Sequence, residues 1–324
     1  MKRARVWVVV QAAVTVGLLA LLMRTIDVAA LTALFAGLPL TFYFISLAVV
    51  LAGQIAYAWR WRLLLTSAGV TVPFRDVIRQ YFVGIFVNNF LPSSVGGDAA
   101  KVFYLGHEYG YRVIVASVAV DRLLGVGLLA LLASTALWLS PPASPRLVAA
   151  NVATAIIAAT SVLLLMLIGI GTGGLPVRVA RFGTRAVQLA QQLQRLRLDM
   201  AAPLRRPEVI IQAAIVVVGY SVIVTMIYLR FVALQHVPTP PFAAMFGAVS
   251  ATAVLSNIPI SLNGLGLREQ LHASLLAPLG VGPEIAVGIS LLLYAHLVIA
   301  SLIGMLFWLR PAGSAAGITG TSAT

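Results

Sequence analysis

The sequence predicts an all-α, polytopic integral membrane protein, and three observations carry that class. Hydrophobic residues fill 60% of the 324 positions and charged residues only 10%. Soluble domains have about 45–50% and about 25%, so this chain cannot assemble a water-soluble surface. Nearly uncharged windows of about 18 to 25 residues recur along it, each long enough at about 1.5 Å per residue to cross roughly 30 Å of hydrocarbon. The 22 Lys and Arg gather on alternate connections, the bias that keeps basic loops in the cytoplasm.

The first window, 6–23, follows Lys2, Arg3 and Arg5. Such a start resembles a secretory leader. Its apolar run is longer than a leader's, and no small-x-small cleavage site precedes Arg24, so it is expected to remain as an anchor. Windows 39–59, 113–139, 147–170, 209–229 and 285–308 complete six full spans. With the amino terminus inside, the cytoplasmic side receives Lys2, Arg3, Arg5, the four Arg from Arg60 to Arg79, Arg112, the seven from Arg178 to Arg206, and Arg310. Only Arg24, Arg146 and Arg230 fall outside. The expectation is a multi-pass protein of a bacterial or archaeal cytoplasmic (inner) membrane with both termini cytoplasmic. The net charge of +13 follows from this topology and does not point to nucleic acid.

Two apolar stretches differ from ordinary spans. Residues 77–105 contain Asn88, Asn89, Pro92, Gly96, Gly97, Asp98 and Lys101, and residues 242–283 contain Asn257, Pro259, Asn263, Gly264, Gly266, Arg268 and Glu269. Proline removes a backbone donor and pushes the residue before it out of the helical region, and glycine weakens the helix further, so each stretch should break within the membrane. Arg75 and Arg79 before the first break and Arg112 after it all favour the cytoplasm, as a re-entrant hairpin requires. The alternative is that both stretches cross, giving eight spans.

The order span, span, hairpin, span then occurs twice, at 6–139 from inside and at 147–308 from outside. Asn89-Phe-Leu-Pro92-Ser-Ser-Val-Gly96-Gly97 resembles Asn257-Ile-Pro259-Ile-Ser-Leu-Asn-Gly264-Leu-Gly266. An inverted repeat with broken helices in matching positions points to a midplane substrate site in a transporter. Chance recurrence of Asn, Pro and Gly is the competing reading. The halves form one transmembrane domain, 1–310. Between them, 176–207 reads as an amphipathic cytoplasmic helix: Arg178, Arg181, Arg185, Gln188, Gln192 and Arg195 face one way, and Val179, Phe182, Ala186, Leu189, Leu193 and Leu196 the other. Such a helix suits the anionic membrane surface, although a plain basic connector would look the same. The tail 311–324 is expected to be disordered.

Six ionisable residues belong to the breaks or the adjoining span: Asp98, Lys101, Asp121, Arg122, Arg268 and Glu269. Intramembrane charges must pair or face a wet cavity. Asp98 and Lys101 can pair at i,i+3, whereas adjacent Asp121 and Arg122 point about 100° apart and need other partners. In the functional reading Arg122 and Arg268 flank a phosphate-sized anion, helped by unpaired N–H groups where helices restart after Gly97 and Gly266. In the competing reading the six residues only staple the hairpins together. Glu269 and His272 form a Glu-x-x-His step, but a di-iron site needs a second copy and further carboxylates, so no metal or other cofactor is expected. With no cysteine, thiolate chemistry and disulfides are excluded. No catalytic triad, paired catalytic carboxylates or nucleotide fingerprint is visible.

Asn89-Phe-Leu-Pro92, Gly97-Asp98-Ala-Ala-Lys101, Asp121-Arg122, and Pro259 with Gly264-Leu-Gly266-Leu-Arg268-Glu269 together resemble the lysylphosphatidylglycerol synthase transmembrane region family, also called flippase-like or UPF0104 proteins. The resemblance spans roughly 6–308. It implies a lipid-handling domain of the cell envelope, in the best-known members the part that flips an aminoacylated phospholipid. By position, Asp121-Arg122 matches the family's acidic-Arg pair and Arg268-Glu269 its Gly-x-Gly-x-Arg-Glu motif. The family often has an Asp three residues after that Arg, where this chain has Gly125. No block resembling the lysyl-transfer domain is present, so an enzyme is not expected. The expected function is transport or binding of a phospholipid or other anionic or glycosylated lipid at Asn89, Pro92, Gly97, Asp98, Lys101, Asp121, Arg122, Asn257, Pro259, Gly264, Gly266, Arg268 and Glu269. The alternative is a membrane enzyme, or an accessory subunit of an envelope-lipid biosynthetic enzyme, acting on a polyprenyl-linked or hopanoid lipid.

Overall fold

The computed structural model describes residues 2–90, 96–140, 144–170 and 184–309. Among them are twelve α-helices: α1 Lys2–Thr25, α2 Val28–Ala36, α3 Leu40–Ser67, α4 Phe74–Phe90, α5 Gly96–Tyr109, α6 Tyr111–Leu139, α7 Pro145–Ile170, α8 Thr184–Leu204, α9 Pro207–Leu234, α10 Phe242–Leu255, α11 Leu267–Leu276 and α12 Pro283–Leu309. Five of these, α3, α6, α7, α9 and α12, are long and apolar enough to cross a membrane. The stretch Val9–Arg24 and α2 make a sixth candidate as a pair bent by 84°. The bend follows from Asp27, whose carboxylate caps α2 by accepting from the Ala29 and Ala30 amides at 2.8 and 3.3 Å. The protein is a polytopic helical membrane protein.

Helices α3 and α9 cross antiparallel near the centre. Phe42 meets Phe231, with ring centroids 6.1 Å apart. At the crossing Gly53 lies so close to Tyr220 that a Cβ there would be 2.0 Å from the ring. Gly53 and Tyr220 are each at the midpoint of a 28-residue helix.

Each broken stretch forms a pair of short helices. Helices α4 and α5 run antiparallel: Gly84 packs on Gly97, where a Cβ would sit 2.2 Å from the Gly84 carbonyl oxygen. A side chain at either position would force the helices apart, which is the reason small residues occupy them. Helix α4 also packs on α12, where Gly304 lies against the Phe82 carbonyl, and α10 packs on α6, where Gly247 lies against Leu137. Each pair therefore rests on the last span of the other half. The break after α10 runs through a 3-10 turn at Leu262–Gly264. Asn263, Gly264 and Gly266 all have positive φ there, at 48°, 74° and 77°, a conformation that glycine and asparagine adopt at least cost. Helix α1 braces this turn: Gln11 donates to the Pro259 carbonyl and the Leu262 amide donates to Thr15 Oγ1, both at 2.8 Å.

Helix α8 covers the described part of the polar stretch, and Arg178, Val179, Arg181 and Phe182 lie outside the described residues. It is tied to α6 by Arg112 and Asp199 at 2.6 Å, and it leaves Leu189 and Leu193 exposed on one stripe.

Candidate functional site

Helices α3, α4, α5 and α6 bring a set of charges together beside the first break. Asp121 Oδ1 accepts from Arg60 Nε at 3.0 Å and lies 2.9 Å from Nη2, which donates to the Asp121 carbonyl at 3.4 Å. The pair is almost wholly buried. Asp98 holds Lys101 at 3.4 Å and Arg122 Nε at 2.7 Å. Lys101 also lies over the rings of Tyr81 and Trp61, at 4.4 and 5.1 Å, and Arg60 over Tyr57 at 5.0 Å, contacts in which the ring face attracts the cation. Asp98 and Lys101 thus pair along the helix, while neighbouring Asp121 and Arg122 look to different helices. A 100° turn per residue demands this divergence.

The second break has its own polar centre. Fully buried Glu269 accepts from Arg268 Nε and Nη2 at 3.3 Å, from Ser290 Oγ at 3.0 Å and from the Gly266 amide at 2.7 Å. His272 Nδ1 lies 2.9 Å from the Arg268 carbonyl oxygen, which can only accept, so Nδ1 carries the proton. Nε2 then accepts from the Tyr228 hydroxyl at 2.6 Å. Arg268 stacks over Tyr294 at 4.8 Å.

Two adjoining cavities join the breaks. One, of about 360 Å³, is lined by Tyr57, Arg60, Tyr81, Lys101, Asp121 and Arg122. The other, of about 790 Å³, is lined by Asp98, Arg122, Asn257, Pro259, Gly264 and Arg268. Asn88, Arg122, Val126, Val254, Asn257 and Leu297 border both. Arg122 and Arg268 therefore face one space from different halves of the chain. The Arg122 side chain is 44% exposed, and its terminal nitrogens make no hydrogen bond among the described residues. Ser261, which is buried, leaves Oγ without a hydrogen-bond partner among the described residues at the wall of the larger cavity.

Three expectations require correction. Arg60 does not lie at the cytoplasmic surface, because Asp121 offers it a buried partner and α3 carries it into the interior. The amides at Gly97 and Gly266 are not open to a ligand. Asn88 Oδ1 accepts from Gly97 at 2.7 Å, and Glu269 caps Gly266. Glu269, wholly buried, lines neither cavity, because its oxygens are spent on Gly266, Arg268 and Ser290.

Asn89 bonds to Ser301 and to the Leu297 carbonyl and lines neither cavity, and Pro92 lies outside the described residues. Gly97 and Gly266 serve close packing, the latter against Leu18 of α1. The residues the sequence did not single out are Arg60, Tyr57 and Tyr81. Arg60 closes an apolar window between Trp59 and Trp61, a local signal that interfacial arginines share. With Arg60 included, four cations meet the carboxylates of Asp98, Asp121 and Glu269, which leaves one formal positive charge.

Residues 8–304 match the family described as lysylphosphatidylglycerol synthase TM region. A UPF0104 membrane protein of Pyrococcus horikoshii is 36% identical over 89 residues, which are 26% of this chain and 27% of that protein. The matched stretch thus spans about a quarter of that relative's length. A family match over more than half of the chain establishes the family: the chain belongs to the lysylphosphatidylglycerol synthase TM region family.

Proposed function

We propose that this protein binds an anionic or glycosylated lipid at the joined cavities and carries its headgroup between leaflets, with Arg122 and Arg268 holding the phosphate. The observation that carries the proposal is that both guanidinium groups line one space of about 790 Å³ and, among the described residues, keep donors unspent. A planar guanidinium can bind two phosphate oxygens at once. The net positive charge of the cluster favours an anionic headgroup, and no covalent step is needed, so the lipid is released unchanged.

The topology that goes with this function has two re-entrant hairpins in an inverted repeat, with both termini cytoplasmic. Helices α4, α5, α10 and α11 have 17, 14, 14 and 10 residues. At about 1.5 Å per residue even the longest falls short of roughly 30 Å of hydrocarbon. The antiparallel crossing of α3 and α9 at their midpoints, and the reciprocal packing of each hairpin on the other half's last span, support two oppositely directed halves.

The test is to reconstitute the purified protein in liposomes and follow headgroup accessibility of labelled phosphatidylglycerol. Wild-type protein should equilibrate the label between leaflets, and an Arg122→Ala/Arg268→Ala variant should not. Equal rates would remove the proposed site.

A further inference from the structure

Two apolar grooves flank the headgroup site. The first lies between α6, α7 and α9, encloses about 160 Å³, and is walled by Leu124, Leu128, Val162, Leu165, Ile210 and Val217. The second lies between α2, α3 and α12, encloses about 520 Å³, and is walled by Phe35, Tyr43, Phe44, Leu291, His296 and Ile299. The lining elements correspond: α9 contributes its first three turns to one groove and α3 its first three turns to the other, while α6 and α12, the last spans of the two halves, supply their middles. Because α3 and α9 cross antiparallel, the grooves sit at opposite ends of the bundle. Both open sideways. Leu131 and Val162 at the first rim are 48% and 41% exposed, and Phe44 and Ile299 at the second are 63% and 40% exposed.

Arg60 and Val217 line both the first groove and the smaller polar cavity, so charge and hydrocarbon meet at Arg60. Its Nη1 makes no hydrogen bond among the described residues. The second groove holds His296, which is buried and whose Nδ1 has no hydrogen-bond partner among the described residues. The next residue, Leu297, lines the polar cavities on the other face of α12.

We infer that these grooves are lateral seats for a hydrocarbon chain of the transported lipid, one for each leaflet. In the first, Arg60 meets the phosphate at the groove's inner end. In the second, His296 Nδ1 meets an ester or hydroxyl oxygen of the lipid backbone. The inference rests on the reading of the cavities as an anionic-lipid site and adds where the tail lies. Such seats keep the tail in apolar surroundings while the headgroup occupies the polar space, and a headgroup need not drag its chain through the charged cluster.

The experiment uses the full chain in nanodiscs with phosphatidylglycerol that carries a diazirine on one acyl chain, and with the phosphatidylcholine counterpart. Mass spectrometry locates the photo-crosslinks. The anionic probe should label both groove walls in preference to the neutral one. Arg60→Gln should lower labelling of the first groove about tenfold. Val162→Trp should block the first groove alone and Ala295→Trp the second alone; both positions are at exposed rims, so the fold should tolerate them. Equal labelling by the neutral probe, or labelling indifferent to Arg60→Gln, would mark ordinary surrounding lipid and overturn the inference. Both grooves unlabelled in the wild-type protein, with lipid movement lost in the Arg122→Ala/Arg268→Ala variant, would remove the grooves and keep the headgroup site. Anion-selective labelling with wild-type movement in that variant would instead sink the headgroup assignment on which the inference rests.

Discussion

Asn263 donates its side-chain amide to Oδ1 of Asn89, so two chain breaks that lie 174 residues apart in sequence touch directly. Asn89 passes the link on to Ser301 of α12, whose hydroxyl bonds to the Leu297 carbonyl at 2.9 Å. This chain of bonds links the two breaks to each other and to α12.

The Asn89–Asn263 contact should therefore be energetically coupled. Asn89→Ala and Asn263→Ala should each destabilise the protein, and a double-mutant cycle should give a coupling of about 0.5–1.5 kcal/mol, the range for one hydrogen bond within a protein. Denaturant-induced unfolding in detergent measures it. Strict additivity would mean that the breaks are held apart by other contacts.

Arg60→Ala strands the buried Asp121 carboxylate. Breaking a buried pair from one side costs about 3–5 kcal/mol. Arg60→Ala/Asp121→Asn should recover part of that loss, since the second change removes the orphaned charge. Thermal melting of the two variants side by side gives the comparison, and an equal or greater loss in the double variant would contradict it.

Gly125 explains how Arg60 fits. A Cβ at this position would lie 3.0 Å from both terminal nitrogens of the guanidinium. Gly125→Asp should place a carboxylate within reach of Arg60, cancel the cluster's one formal positive charge and weaken binding of phosphatidylglycerol by about tenfold or more. Binding of phosphatidylcholine serves as the reference and should change little.

Gly97→Ala and Gly304→Val test close packing without touching charge. The new Cβ atoms would come within 2.2 Å of the Gly84 oxygen and 2.0 Å of the Phe82 oxygen. Backbone must move in both cases, so each should cost about 1–3 kcal/mol or more. Gel filtration and melting in detergent report it, and Gly219→Ala, with nothing within 4 Å, is the control.

Because the natural chain has no cysteine, single cysteines report topology cleanly. Glu108→Cys should react with an impermeant maleimide only from the cytoplasmic side and Glu284→Cys only from the outer side. Glu108→Cys reacting from the outer side while Glu284→Cys still reacts from the outer side would replace both hairpins with full crossings.

Composition and spacing were enough to specify a helical membrane protein, its long apolar spans and the places where the chain breaks. These are local properties: the transfer of a 20-residue window into hydrocarbon, or the loss of a helix donor at Pro259, does not depend on distant residues. The i,i+3 pairing of Asp98 with Lys101 and the divergence of Asp121 from Arg122 were legible for the same reason, since helical pitch alone dictates them. Arg60 was not legible. Whether an arginine at the end of an apolar window turns toward water or inward depends on Asp121, 61 residues away, and that free energy exists only once α3 and α6 pack. The same holds for Asn88, which reaches the Gly97 amide because the chain reversal brings it there, and for the apolar grooves, which are walled by three helices each; the Glu269 cap on the Gly266 amide, three residues away, is a local capping box. Long-range pairing in a low-dielectric interior decides which charges remain for a ligand, and packing alone sets that pairing.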